Sequence, residues 1–572
     1  MAVDEKESWL QMGESCCNTG EFHKMRACGQ QVLDLAEDDP DGMAMIAESS
    51  LYLAAGGDEE SLEIAKEYID KLQEKAPDNL RGMLAMAEMY WSEFQIDKAL
   101  SAFKKFLRKV EKANDDKFKG IFERGLSFYA DVCVLAGEAE EASRAAFRAS
   151  EMADTLDKKA VFYSKGLFLS NYRVMVADKR LRLHQDFNQL IGVQMTFPHK
   201  VEKRSAKHSL RIGYISPDFR QHAASYFFAP FFKYANRTDF KLYAYHTGKS
   251  DVVTKAFKKI VENWRDMEGK TPQQIARKIF DDKIDILVDL SGHSQNSCLS
   301  VMAYKPAPVQ ISAIGYINTT GVEAIDYFLS DEVCLPATDN GRFFSEATLR
   351  LSHCHLCYAP ELMRDTKMNI QDAPFKKNGY ITFGSFNNFL KVTEDVLLCW
   401  RNILEKVPNS KLVIKAKICS VPSGREIVLK RCRQVAIDIS RVELRPYSPD
   451  YLQQYNDIDI SLDTWPYTGG TTVCDSIYMG VPVIARLGRT HGSRYSATIL
   501  VAAGLKDFVA VNDMDYVAKA VQLAINKELL NLLHHDLPSA VRQSRLMNGK
   551  AYMEDLEEAY RGIWAKYCRQ GE

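Results

Sequence analysis

The stretch Asp459 to Pro482, DISLDTWPYTGGTTVCDSIYMGVP, sets two glycines and two threonines between a buried strand and an apolar helix. Gly469 and Gly470 remove side chains where a backbone must pass close to a ligand. Thr471 and Thr472 present hydroxyls beside the free N–H groups of a first helical turn, and such a helix start at a strand end binds anions, most often a diphosphate. Asp475, one turn further on, is placed to accept hydrogen bonds from the vicinal hydroxyls of a ribose. The spacing alone fits equally well a capped helix whose Asp475 favours the helix dipole. A second cluster, GSFNNFLKVTEDV from Gly384 to Val396, puts Lys391 behind a loop rich in amides. An ammonium there neutralises charge building on a departing diphosphate, although a single lysine near a helix start is more often just solvated. A third, SPDFRQHAASYFF, sets His222 in the loop after an early strand.

The elements around these clusters are short apolar runs alternating with helices. LRIGYIS, FKLYAYH, IDILVDLSG, VQISAIGYI and AIDYFLSD are predicted strands, with YFFAPFFKYA and QQIARKIFDD as helices between the early ones. A second set begins after Lys376-Lys377-Asn378-Gly379: YITFGSF, KLVIKAK, VELRPYS, DIDISLD, VPVIARLG and FVAVN, separated by VLLCWRNILEKV, DYLQQYND, CDSIYMG and YVAKAVQLAI. Near-continuous apolar strands alternating with helices mean parallel sheets covered on both faces. Two in tandem give two Rossmann-like domains facing a cleft, with ligands at the carboxyl ends of the strands.

The first 160 residues read differently. Trp9, Met12, Gly13, Gly20, Phe22, Met25, Val32 and Pro40 fall where a tetratricopeptide repeat of about 34 residues places its helix-packing residues. Gly13 allows close helix approach, Gly20 serves a turn and Pro40 stops a helix. The pattern recurs from Ala44 to Pro77 and from Gly82 to Lys112, and a fourth helical pair turns at Ala136 to Glu138. A helical bundle without repeat symmetry is the plainer alternative. A short solenoid presents a concave face suited to a peptide or a partner protein. The predicted organisation is therefore residues 1–160 as helical repeats, 161–209 as a helical connector ending in the exposed link MTFPHKVEKRSAKHS, 210–375 as one catalytic half and 376–572 as the other.

Composition excludes several classes. The 572-residue chain carries 74 basic and 76 acidic residues finely interspersed, which leaves no electrostatic footprint for nucleic acid or membrane. The start, MAVDEKESWLQ, lacks the basic and apolar regions of a signal peptide, and no run of about 18 apolar residues occurs. A cytoplasmic protein is expected. Its thirteen cysteines are scattered and read as free thiols. The dense spot His353-Cys354-His355-Leu356-Cys357 lacks a second Cys-x-x-Cys for a structural zinc, and reads as a strand leading out of a domain.

From about Leu210 to Cys568 the chain resembles the protein O-GlcNAc transferase and SPINDLY family. The resemblance is carried by GYISPDFRQHAASYF, ILVDLSGH, KPAPVQISAIGYINTTG, YITFGSFNNFLK, PNSKLVIKAK and DISLDTWPYTGGTTVCDSIYMGVPV. It implies an α/β GT-B fold behind the all-α repeats, and inverting, metal-independent transfer of a sugar from a nucleotide donor to serine or threonine hydroxyls. By match to the motifs, His222 corresponds to the cleft histidine that assists acceptor deprotonation and Lys391 to the lysine on the donor diphosphate. Thr471 and Thr472 correspond to the phosphate-binding hydroxyls and Asp475 to the ribose ligand. Asn388, Tyr451, Gly469 and Gly470 join them as donor contacts, and His293, Asn318 and Thr319 as acceptor or sugar contacts.

Animal O-GlcNAc transferases place a histidine before the paired threonines, where this chain has Gly470, and their preceding lysine and histidine become Ser448 and Tyr451. At these positions, and in FGSFNN, GYINTTG, HLCYAPE and AYRGIWAKYC, the chain is closer to the SPINDLY branch, whose plant members use GDP-fucose. The small number of repeats suggests a compact bacterial relative. The expected donor is UDP-GlcNAc, with GDP-fucose as the alternative. The expected partners are that donor and a protein acceptor held by the repeats, with a homo-oligomer left open. No cofactor or metal is expected, since Asp457-Ile458-Asp459, the nearest Asp-x-Asp, leads directly into a buried strand. A silent module that reads sugar nucleotides or peptides is the rival class. The retained Lys391 and threonine pair argue against it.

Overall fold

The computed structural model describes residues 2–192, 196–199, 208–339, 341–360 and 372–570. They divide into two compact units, Met1–Phe162 with Val421–Ile427, and Tyr163–Ser420 with Val428–Glu572.

The first unit is built from four helical hairpins: α1 (Ala2–Thr19) with α2 (Phe22–Leu35), α3 (Pro40–Ala55) with α4 (Glu59–Lys75), α5 (Leu80–Ser92) with α6 (Ile96–Ala113), and α7 (Lys119–Ala136) with α8 (Ala139–Met152). Gly13 is where α1 meets α3, since a Cβ there would fall 2.2 Å from the Met45 sulfur. Gly20 turns the chain at φ +76°, a conformation glycine adopts without a steric penalty. Pro40 does not stop a helix. α2 has already ended at Leu35, and Pro40 opens α3 beneath the Asp39 cap, which accepts from the Asp41 and Gly42 N–H groups. A first-turn proline loses no hydrogen bond. Glu48 on α3, Glu88 on α5 and Arg124 on α7 bring charge into the interior. Arg124 pairs closely with Glu48 and lies 3.8 Å from Glu88. Burial, reinforced by Glu48, pushes the Glu88 carboxyl up to about 8.

The second unit holds two parallel sheets. The first has β1 (Leu210–Ser216), β2 (Phe240–His246), β3 (Asn263–Asp266), β4 (Ile286–Asp289), β5 (Val309–Ser312), β6 (Tyr327–Asp331) and β7 (Ala347–Leu351) in the order 3-2-1-4-5-6-7. The second has β8 (Thr382–Ser385), β9 (Lys411–Lys415), β10 (Val442–Arg445), β11 (Ile460–Leu462), β12 (Val483–Arg486) and β13 (Val509–Ala510) in the order 10-9-8-11-12-13. Every pairing is parallel, in register from Leu210↔Phe240 on one sheet and from Thr382↔Lys411 on the other. In both sheets the order reverses beside the opening strand, which makes the clefts that doubly wound folds use for ligands.

Two expectations about boundaries change. Residues from Tyr163 onward, expected as a helical connector, belong to the second unit. Asn171 donates to the Tyr316 hydroxyl at 3.0 Å, and His184 on the helix Ala177–Ile191 bonds the same hydroxyl at 2.8 Å. Of the link MTFPHKVEKRSAKHS, residues 195 and 200–207 lie outside the described residues. Phe197 in it stacks on Phe280, and His199 bonds the Lys305 carbonyl. The last helix, Gly549–Gln570, follows the second sheet but packs on the first half: Tyr560 and Tyr214 hydroxyls lie 3.3 Å apart, and Arg561 donates to the His208 carbonyl at 2.7 Å. None of the thirteen cysteines is paired in a disulfide. No helix among the described residues is long and apolar enough to cross a membrane.

Candidate active site

The glycine and threonine loop stands where the sequence puts it. β11 ends at Leu462, residues 463–470 turn, and the next helix spans Thr471–Tyr478 with Gly470 as its N-cap and no side chain capping it. That helix start is thus open to an anion. A Cβ on Gly469 would fall 2.6 Å from Thr472 Oγ1 and 2.8 Å from Asp463 Oδ1, so no larger residue fits. Thr472 donates to the Asn387 side-chain oxygen at 3.1 Å, and Thr471 reaches across to the Ala223 carbonyl, also at 3.1 Å. The second contact joins the two halves at the residue next to His222.

Lys391 ends the short 3-10 turn Phe389–Lys391 behind β8. Its ammonium donates to the Thr468 carbonyl at 2.9 Å and lies 4.2 Å from the centre of the Tyr467 ring. Burial pushes its pKa down to about 8, against the pull of Asp463. A cation is therefore held beside the open helix start, and the two together make a field that suits an anion.

Asp475 is almost fully buried, and both its carboxylate oxygens accept hydrogen bonds, from Tyr358 at 2.5 Å and from Tyr451 at 2.7 Å. Tyr451 thus enters the site through Asp475. Asn388 is exposed and caps its own turn by accepting from the Leu390 N–H, while its buried neighbour Asn387 bridges Thr472 and Asp463.

His222 lies in a loop pinned from several sides. Gln221 N–H donates to Asp251 at 2.7 Å, and the Ser225 hydroxyl to the Asp218 carbonyl at 3.0 Å. The imidazole is 42% exposed, and its Nδ1 accepts from the Ala224 N–H at 3.3 Å with Asp218 Oδ2 3.7 Å away. Its crowding in the cleft lowers its pKa, against the pull of Asp218. With Nδ1 accepting, the neutral ring carries its proton on Nε2.

The three proposed acceptor contacts are built into the scaffold. His293 is buried with both ring nitrogens bonded, to Ser164 and to the Thr320 carbonyl, each at 2.8 Å. Asn318 donates to Asn171 at 3.1 Å and Thr319 to Glu346 at 2.6 Å. In this arrangement they brace residues 163–171 and the loop after β5 rather than line an open surface. The Asp-x-Asp pair is engaged likewise: Asp457 pairs with Arg445 at 2.8 Å, and Asp459 accepts from the Phe375 and Thr382 N–H groups, each at 2.8 Å.

Sequence reasoning passed over Asp463, which organises the loop. It is fully buried, and it accepts from the Gly469 N–H at 2.8 Å, from Asn387 at 3.3 Å and from the Ser496 hydroxyl at 2.5 Å. Its signal was a carboxylate at the end of an apolar strand just before a glycine pair. Tyr358 and Tyr467 carried no comparable signal, since tyrosines in apolar surroundings read as core.

A family model described as Glycosyl transferase family 41 matches residues 164–359 and 370–556. Over 401 residues the chain is 37% identical to the Arabidopsis thaliana protein named probable UDP-N-acetylglucosamine–peptide N-acetylglucosaminyltransferase SPINDLY, covering 68% of this chain and 43% of that one. A protein of that name from Oryza sativa is 38% identical over 400 residues, covering 68% and 43%. The matched region spans less than half the length of these curated relatives. In structure the chain is similar to the Thermobaculum terrenum O-GlcNAc transferase, with a TM-score of 0.73 and 24% identity over 100% of this chain and 99% of that one. That likeness speaks for the fold, repeats included. The family match starts at residue 164, close to where the second unit begins.

Proposed function

The chain belongs to glycosyl transferase family 41, and from that premise we propose that it transfers a sugar, with inversion, from a nucleoside diphosphate to a serine or threonine hydroxyl of a protein. The observation that carries this is the Lys391 ammonium beside the open helix start at Thr471, on the strand ends of a GT-B cleft. As the acceptor oxygen attacks the anomeric carbon and the bond to the diphosphate breaks, negative charge gathers on the leaving phosphate. Lys391 and the first-turn N–H groups answer it with fixed positive charge. The Thr471 and Thr472 hydroxyls add donors once they turn from Ala223 and Asn387.

His222 faces the acceptor side. With Nδ1 taken by the Ala224 N–H, it offers Nε2–H to an acceptor oxygen and so orients it. The acceptor proton passes to the departing diphosphate, and to His222 only where Nδ1 is released from the Ala224 N–H. Much of the rate then comes from positioning and from stabilising the leaving group. Asp475 serves the ribose by way of a tyrosine hydroxyl that gives up its place.

The donor we favour is UDP-GlcNAc, the nucleotide sugar in the names of the relatives. A second reading, GDP-fucose, rests on Gly470 and Tyr451, where the chain follows the SPINDLY branch. The repeat unit holds the acceptor protein. In the test, the purified chain and a serine-rich protein pool are given each nucleotide sugar in excess EDTA. Transfer from UDP-GlcNAc is expected. Turnover with GDP-fucose alone replaces the donor, and activity that collapses on chelation and returns with manganese overturns the metal-independent mechanism.

A further inference from the structure

Behind the donor loop lies a cluster that the transfer reaction does not use. Cys334 follows β6, His355 follows β7, and His491 opens the 3-10 turn His491–Ser493 after β12 in the other half. All three are buried. The Cys334 sulfur and a ring nitrogen from each histidine lie within 4.8 Å of one another.

The hydrogen bonds fix what each ring presents. His355 Nδ1 bonds Asp331 Oδ2 at 2.5 Å, and His491 Nδ1 bonds the Ile317 carbonyl at 3.1 Å. A carboxylate and a carbonyl only accept, so in the neutral rings both Nδ1 atoms carry the proton and both Nε2 atoms carry a lone pair. Neither Nε2 has a hydrogen-bond partner among the described residues. Two buried lone pairs share their surroundings with one thiol, whose single S–H satisfies at most one of them, and an unsatisfied buried acceptor is costly. The rings are close, with centroids 5.3 Å apart.

We propose that Cys334, His355 and His491 bind a divalent transition-metal ion of the zinc class, which clasps the two catalytic halves together. Two imidazoles and a thiolate are a donor set zinc accepts. The Asp331 carboxylate on Nδ1 of His355 is the outer-shell partner that orients metal-binding imidazoles. Charge balances too: binding releases the Cys334 proton to solvent, and the thiolate with Asp331 neutralises a dication. The clasp bears on the donor loop through Tyr495, whose ring lies 5.4 Å from His355 and 3.4 Å from where a Gly470 Cβ would stand. Cys334 and His355 flank β7 in one half and His491 comes from the other, so the ion enters as the halves assemble. The proposed ion is structural and has no part in the transfer chemistry.

The test uses the full chain produced in zinc-free, cobalt-supplemented medium. A stoichiometric ion with intense tetrahedral cobalt bands and a sulfur-to-cobalt charge-transfer band is expected. Cys334→Ser should lose the charge-transfer band and His491→Ala the ion, while Cys357→Ser keeps both. If the ligand variants do not fold, the wild-type spectrum decides: the charge-transfer band supports the site and its absence overturns it. A chain without metal, in which nitrogen-15 imidazole spectra show one proton shared by His355 and His491, replaces the ion with a proton.

Discussion

The Lys391 ammonium is 2.9 Å from the Thr468 carbonyl oxygen, so the loop after β8 is tied to the loop after β11 before any donor arrives. The scaffold itself fixes the direction of the cation, so under the proposed reaction little reorganisation would remain as the leaving group gathers charge.

Replacing that cation removes the aimed charge. Lys391→Ala should lower transfer about 10²–10³-fold, the usual cost of one preorganised electrostatic contact, with far-ultraviolet circular dichroism unchanged. Wild-type turnover in the folded variant would refute the role.

The same lysine predicts a pH limb. With its pKa near 8, the ammonium is charged below that pH and neutral above it, so kcat/KM for the donor should fall as pH rises through about 8. Lys391→Arg, charged throughout, should lose this limb even at a lower maximum. An unchanged limb in that variant would assign the titration elsewhere.

His222→Ala should lower kcat on the order of 10²-fold, the cost of a misplaced reactant, with little change in donor affinity. His222→Asn, which keeps an N–H donor, should recover part of the rate. Loss of donor affinity at an unchanged maximal rate would make His222 a donor contact.

Asp463→Ala leaves the Gly469 N–H, Asn387 and Ser496 without their common acceptor. Each unsatisfied donor costs about 1–3 kcal/mol, so the midpoint of urea unfolding should drop. Asp463→Asn should spare much of the stability while weakening donor binding. Equal donor affinity in both variants and wild type would show that the loop keeps its shape without this carboxylate.

In the repeat unit the prediction concerns stability. Glu88 keeps its proton up to about pH 8 when folded, against an ordinary value of 4.5. Folding therefore takes up a proton at neutral pH. Its favourable contribution is complete below about 4.5 and is lost as pH rises to about 8. Glu88→Gln should flatten the pH dependence of thermal unfolding over that window and raise the midpoint at its alkaline end. A wild-type curve already flat there would contradict it.

Much of this architecture was legible because its signal is local. Strands such as LRIGYIS and KLVIKAK are apolar on both faces and stood out, as did the helix start at Thr471. β3, NWRD, lies at a sheet edge and has no apolar run to betray it. β7, ATLRL, is equally short, and the cysteine-rich segment read as a strand follows it instead. DYLQQYND forms only a short 3-10 turn, Gln453–Asp457. Contacts between distant stretches were out of reach: Tyr358 meets Asp475 across 117 residues, and Asn171 meets Tyr316 across 145. Only the folded first half shows that His293 ties Ser164 to the Thr320 carbonyl.

The last helix has a consequence for the order in which the protein is made. β1 meets Tyr560, and the His208 carbonyl meets Arg561, yet the ribosome delivers Leu210 about 350 residues earlier, roughly 17–70 s at ordinary elongation rates. Throughout that interval the first sheet lacks its final covering helix. The half that is synthesised first is therefore the one finished last, and it is the half a chaperone would need to guard on the nascent chain.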